Sequence, residues 1–107
     1  MDTLSLCRKV ADIDGWAGVD TITSVGALAA VVDGKGGVMG KALLLDLMFK
    51  YNVCIDRGFA GIEQGLAEIW PKDIDTCNLI GTYCAEFKSN EDIPRAVLEC
   101  IIQANDL

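Results

Sequence analysis

Apolar residues recur at three- and four-residue intervals along most of the chain, and six helical segments follow from that period. The first, roughly Thr3 to Ile13, places Leu4, Cys7, Val10 and Ala11 on one face and stops before the Asp14-Gly15 turn. The second follows Asp20 or Thr21 as N-cap, and Ile22, Val25, Leu28, Ala29 and Val32 form its stripe. Because Val31 and Val32 are β-branched, a minor strand over 27–32 is the competing reading.

Asp33-Gly34-Lys35-Gly36-Gly37 reads as a turn, since glycine tolerates backbone angles that other residues avoid. A third helix is predicted from about Val38 to Val53, with Leu44, Leu47, Met48 and Tyr51 on one stripe and an i,i+4 pair, Asp46 and Lys50, outside. From Arg57 to Trp70, the residues Phe59, Ile62, Leu66, Ile69 and Trp70 mark a fourth stripe, with Glu63 and Glu68 opposite. Gly58, Gly61 and Gly65 lie three and four apart on a neighbouring strip. Each lowers helix propensity by about 1 kcal/mol relative to alanine, and close packing of two backbones, including a dimer interface, is the compensating reason.

A fifth helix is predicted from Asp73 or Asp75, with Thr76, Ile80, Tyr83, Cys84 and Phe87 on one side. The last follows Asp92 as N-cap, accepts Pro94 in its first turn, and carries Ile93, Val97, Leu98, Ile101 and Ile102. The expected fold is all-α, a compact bundle of five or six short helices forming one domain over residues 1–107. At 107 residues, two halves would each be too small to bury a useful core.

Charge adds a constraint that the pattern alone does not. Sixteen acidic against nine basic residues give a formal charge of −7. The resulting field repels phosphate backbones and attracts cationic surfaces. Direct nucleic-acid binding is therefore not expected, and a basic protein partner is. The apolar share of 51% is high for a small monomer that must still be wetted, so part of it is expected to meet a second chain. The chain starts Met1-Asp2-Thr3-Leu4 without an export-signal pattern, and its uncharged run from Thr21 to Val32 is too short to cross a bilayer. A cytoplasmic setting is the expectation. The five cysteines, Cys7, Cys54, Cys77, Cys84 and Cys100, include no Cys-x-x-Cys pair and have no histidine to join them, so they read as small core hydrophobes.

Few residues carry candidate chemistry. Gly34-Lys35-Gly36-Gly37-Val38-Met39-Gly40-Lys41-Ala42 resembles the glycine-rich phosphate loop of the ParA and MinD type of P-loop ATPase. That resemblance implies amides and a lysine cradling phosphates. It covers nine residues, places Ala42 where the family has a magnesium-binding hydroxyl, and has one residue inserted around Met39. The residues themselves read as a glycine turn before a cationic helix start. Asp12-Ile13-Asp14-Gly15 begins like a calcium loop but has Trp16, Ala17 and Thr23 where oxygen ligands and glycine are needed, so helix capping explains it and Asp73-Ile74-Asp75 alike. Without histidine, a serine or cysteine nucleophile lacks its imidazole base. No enzyme activity and no cofactor are expected.

What the sequence favours is a small acidic protein-binding module of the inhibitor or immunity type, as toxin-immunity proteins, antitoxins and phage-encoded inhibitors are. It would occlude a basic or nucleic-acid-handling protein. Asp12, Asp14, Asp20, Glu63, Glu68, Asp73, Asp75, Glu91 and Asp92 are the candidate contacts. The alternatives are a structural or regulatory homodimer through Gly58, Gly61 and Gly65, and a nucleotide-binding protein using Lys35, Gly36, Gly37, Gly40 and Lys41.

Overall fold

A computed structural model describes residues 2–57, 64–69 and 83–105. Along these residues the order is α1 (Thr3–Ile13), α2 (Asp20–Val32), α3 (Val38–Lys50), β1 (Val53–Arg57), β2 (Gly65–Ile69), β3 (Tyr83–Phe87), a 3-10 turn (Asn90–Asp92) and α4 (Ile93–Asn105). The strands form one antiparallel sheet in the order β1-β2-β3. The expected all-α bundle of five or six helices is thus overturned: this is a helical layer packed on a three-stranded sheet.

Helix α1 starts where Asp2 accepts the Ser5 amide at 2.8 Å, satisfying one of the free amides of the first turn. Its buried face is Leu6, Cys7, Val10 and Ala11, whereas Leu4, which the period placed inside, stays exposed. Helix α2 buries Val25, Leu28, Ala29 and Val31. Residues 27–32 are helical and not a strand, since an α-helical ladder and a left-handed Gly34 (φ 79) closing its end satisfy the backbone locally. Ile22 is 83% exposed, outside the stripe expected of it.

Helices α2 and α3 approach closely through glycine. A Cβ on Gly40 would stand 2.4 Å from the Ala27 carbonyl oxygen, and one on Gly36 would meet Val31 at 2.2 Å. Helix α3 ends three residues earlier than the sequence suggested. Asn52 adopts the left-handed region (φ 56), which asparagine tolerates, and its amide reaches back to the Phe49 carbonyl at 3.3 Å. The chain leaves the helix there and enters β1.

The segment read as a helix from Arg57 to Trp70 instead supplies the end of β1 and all of β2. The helix expected to end at Phe87 supplies β3. A period of two runs through these strands: Val53 and Ile55, Ala67 and Ile69, and Tyr83, Ala85 and Phe87 face the core. Leu66 and Ile69, counted as one helical stripe, lie on opposite faces. Gly65 pairs with Arg57 and Phe87 in the sheet, and it belongs to a strand rather than a helical strip. Gly58 and Gly61 lie outside the described residues.

Helix α4 covers β2 and β3, with α1 packed between α4 and α2. Leu6, Cys7, Val10, Leu28, Leu47, Val97, Leu98, Cys100 and Ile101 are almost wholly removed from water. The Cys100 thiol donates to the Tyr83 carbonyl at 3.1 Å, tying α4 to β3. Burial and nearby negative charge raise this thiol from 9.0 to about 12, and burial foremost raises that of Cys7 to about 11. Both are inert core thiols. Among the described residues, no helix is long and apolar enough to cross a membrane.

Candidate functional site

Alternation sends the other half of each strand away from the core. The outer face has two cross-strand rows, Cys54–Glu68–Cys84 and Asp56–Leu66–Glu86. Neighbouring strands lie about 5 Å apart, so Asp56 and Glu86 stand roughly 10 Å apart across Leu66, with Glu68 two residues along the central strand. Asp56 and Glu86 are exposed and Glu68 is half-buried. A shallow pocket of about 350 Å³ opens at the Leu66 end of this face, lined by Asp56, Gln64, Gly65, Leu66, Glu86, Phe87 and Lys88.

Carboxylates at alternating positions on adjacent strands repel one another, which weakens pairing by a few tenths of a kcal/mol for each close pair. An acidic face with an apolar residue at its centre suits the head and stem of a lysine or arginine side chain. With no histidine in the chain, the face has no imidazole for general acid–base work. Cys54 and Cys84 are exposed thiols on one row, but a full strand separates them. That puts them roughly 10 Å apart, beyond the reach of a disulfide. No three metal-ligating side chains converge among the described residues.

Of the acids singled out in the sequence, the structure places only Glu68 on this face. Asp12 is exposed on α1, Asp20 in the first turn of α2, and Glu91 and Asp92 in the 3-10 turn, where Asp92 accepts the Ser89 hydroxyl at 3.2 Å. They are spread over the surface. Glu63, Asp73 and Asp75 lie outside the described residues. Asp56 was missed because it fell between two segments read as helices, and Glu86 because its segment was read with a helical period. The alternations Val53-Cys54-Ile55-Asp56 and Cys84-Ala85-Glu86-Phe87 were the signal that could have found them.

Asp14 serves a structural purpose. Its carboxylate accepts the Trp16 indole N–H at 2.7 Å and the Tyr51 hydroxyl at 2.7 Å, and it pairs with Lys50. Only 11% of its side chain is exposed. It therefore clamps the end of α1 to the end of α3. Burial works against ionisation of Asp14, but the hydrogen bonds from Lys50, Tyr51 and Trp16 outweigh it and hold the carboxyl below its ordinary value. Burial and the bond to Asp14 push Tyr51 up to about 12. Lys50, expected to pair with Asp46, is engaged here instead.

The glycine-rich segment is equally structural. It follows helix α2, whereas a phosphate loop follows a strand, and Gly36 and Gly40 are filled by contact with Val31 and Ala27.

These features define a small α+β scaffold that offers an acidic, weakly apolar sheet face. The chain matches no protein family, no curated protein and no solved structure with which it was compared.

Proposed function

We propose that the protein is an acidic binding module of the inhibitor or immunity type, whose sheet face covers a basic site on a protein partner. The observation that carries this reading is the convergence of Asp56, Glu68 and Glu86 around Leu66 on one exposed face. A sheet fixes the backbone beneath these side chains, so the ordering cost when a cationic surface docks is confined to side-chain rotamers. The charge of −7 adds long-range attraction, and it lets the module compete with nucleic acid for the same partner site. The compartment this reading assigns is the cytoplasm, where cysteines such as the exposed Cys54 and Cys84 remain thiols.

The test is capture from a nuclease-treated lysate of the source cell at low salt, comparing wild type with Asp56→Asn/Glu68→Gln/Glu86→Gln. A stoichiometric basic protein held by the wild type and lost from the sheet variant is expected. A second control, Asp12→Asn/Asp20→Asn/Glu91→Gln/Asp92→Asn, keeps the partner. Equal retention by wild type and the sheet variant would refute the assignment of this face.

A further inference from the structure

Helix α3 is apolar on two opposite sides, with Lys41, Asp46 and Lys50 between them, and an apolar side is normally covered. Its inner face, Gly40, Leu44 and Leu47, is buried in the core. Diametrically opposite, Val38, Ala42, Leu45 and Phe49 follow one another at intervals of four, three and four residues. Val38 is 86% exposed, Leu45 54% and Phe49 84%. This is the seam spacing of a coiled coil, with Val38 and Leu45 at d positions and Ala42 and Phe49 at a positions. The core-facing Gly40 and Leu47 then occupy f, the position farthest from a partner helix. The seam can meet another helix without disturbing the domain's own packing.

Charge selects the occupant. On this register Lys41 is at g and Asp46 at e, five residues on, and both are exposed. In a parallel two-helix pair, g of one helix faces the following e of the other, so Lys41 of each copy meets Asp46 of its twin, twice per dimer. An antiparallel pair would set each flank against its own copy, Asp46 beside Asp46 and Lys41 beside Lys41. The helix also carries two lysines against one aspartate in a chain of formal charge −7, so the repulsion opposing self-association is weakest here. We infer that the outer face of α3 is a homodimer interface, in which a second copy packs its own α3 in parallel through Val38, Ala42, Leu45 and Phe49. This inference rests on a different face from the acidic sheet and stands independently of it. It leaves both sheet faces of the dimer open.

The experiment is sedimentation equilibrium of the full chain at concentrations up to roughly 1 mM. A reversible dimer is expected, and a monomer throughout that range would overturn the inference. Leu45→Asp, at a side chain 54% exposed, should retain the wild-type far-UV spectrum, and the wild-type thermal midpoint at concentrations where both are monomeric, while weakening dimerisation roughly 100-fold or more. A dimer that survives Leu45→Asp and Phe49→Ser, or one lost instead in the sheet variant, places the interface elsewhere and overturns it. Lys41→Asp and Asp46→Lys should each weaken association by about 10-fold, and the double exchange should restore it. Absence of that rescue would rule out the parallel pairing.

Discussion

The sheet and helix α3 each turn one face to the core and one to water, yet their outer faces are opposites. The sheet exposes Asp56 and Glu86 around Leu66, whereas α3 exposes Val38, Leu45 and Phe49 between Lys41 and Asp46. An acidic face gains little from self-contact because like charges meet, and it gains most from a cationic partner. An apolar seam gains from any apolar surface, and its flanking charges then decide which one. The difference teaches that a short chain can keep an acidic face and an apolar face on separate elements, the first suited to a cationic surface and the second to an apolar one.

The comparison breaks if the inner and outer faces of α3 are not energetically distinct. Leu47→Ala, on the inner face, should lower unfolding free energy by about 3 kcal/mol through a cavity. Phe49→Ser, on the outer face, should change monomer stability by less than about 0.5 kcal/mol. Denaturant titration at a concentration where the protein is monomeric measures both. Equal losses would mean that α3 has no free face.

Gly40→Ala sharpens the same contrast, because its new methyl group would lie within 2.4 Å of the Ala27 carbonyl oxygen. Backbone must move, and a loss of about 2 kcal/mol follows despite alanine's better helix propensity. Ala42→Gly, on the outer face, should lose only about 1 kcal/mol through propensity.

The clamp that orients α3 is next in size. Asp14→Ala leaves the Tyr51 hydroxyl and Trp16 indole without their acceptor and should destabilise by about 1.5 kcal/mol. Because the folded carboxyl is held below its ordinary 3.8, its contribution is fully present above that value and is lost as pH falls through the lower, folded value. Wild type and Asp14→Asn should therefore converge in thermal midpoint toward acid pH. At the other extreme, Tyr51 is raised from 10.0 to about 12, so stability falls as pH climbs across that interval, and Tyr51→Phe should flatten that part of the decline.

The smallest effect concerns the sheet. Neutralising Asp56, Glu68 and Glu86 together should raise stability by a few tenths of a kcal/mol at low salt, an increment that vanishes at high salt. A large loss on thermal melting would mean that these acids hold the sheet together and are not kept for a partner.

Much of the helical layer was legible along the chain. Thr3–Ile13 has the limits that its apolar period and turn residues announce, and α4 follows its Asp92-Ile93-Pro94 start closely; Asp20–Val32 takes Asp20, expected as its cap, into the first turn and has Val19 at the cap position. These segments are long enough for a 3.6-residue period to repeat three times, and local hydrogen bonds complete them. The strands were not legible because each is five residues, too short to separate a period of two from a fragment of helix. Leu66 and Ile69 fit either period, and Tyr83, Cys84 and Phe87 do as well. Gly65, read as part of a packing strip, was a signal against helix. The candidate site shared the fate of its strands: Glu68 was named, while Asp56 and Glu86 appear on its face only once strand register is known.

By itself the sequence determined the acidity, the absence of histidine chemistry, and the amphipathic helices whose stripes demand a common core. These follow from composition and from contacts within a few residues of one another. Only the tertiary structure decided that Val53–Arg57, Gly65–Ile69 and Tyr83–Phe87 pair as a sheet, which acids share a face, and that α3 keeps an apolar side in water. Strand pairing, face sharing and exposure depend on residues far apart in the chain, and a local period holds no record of them.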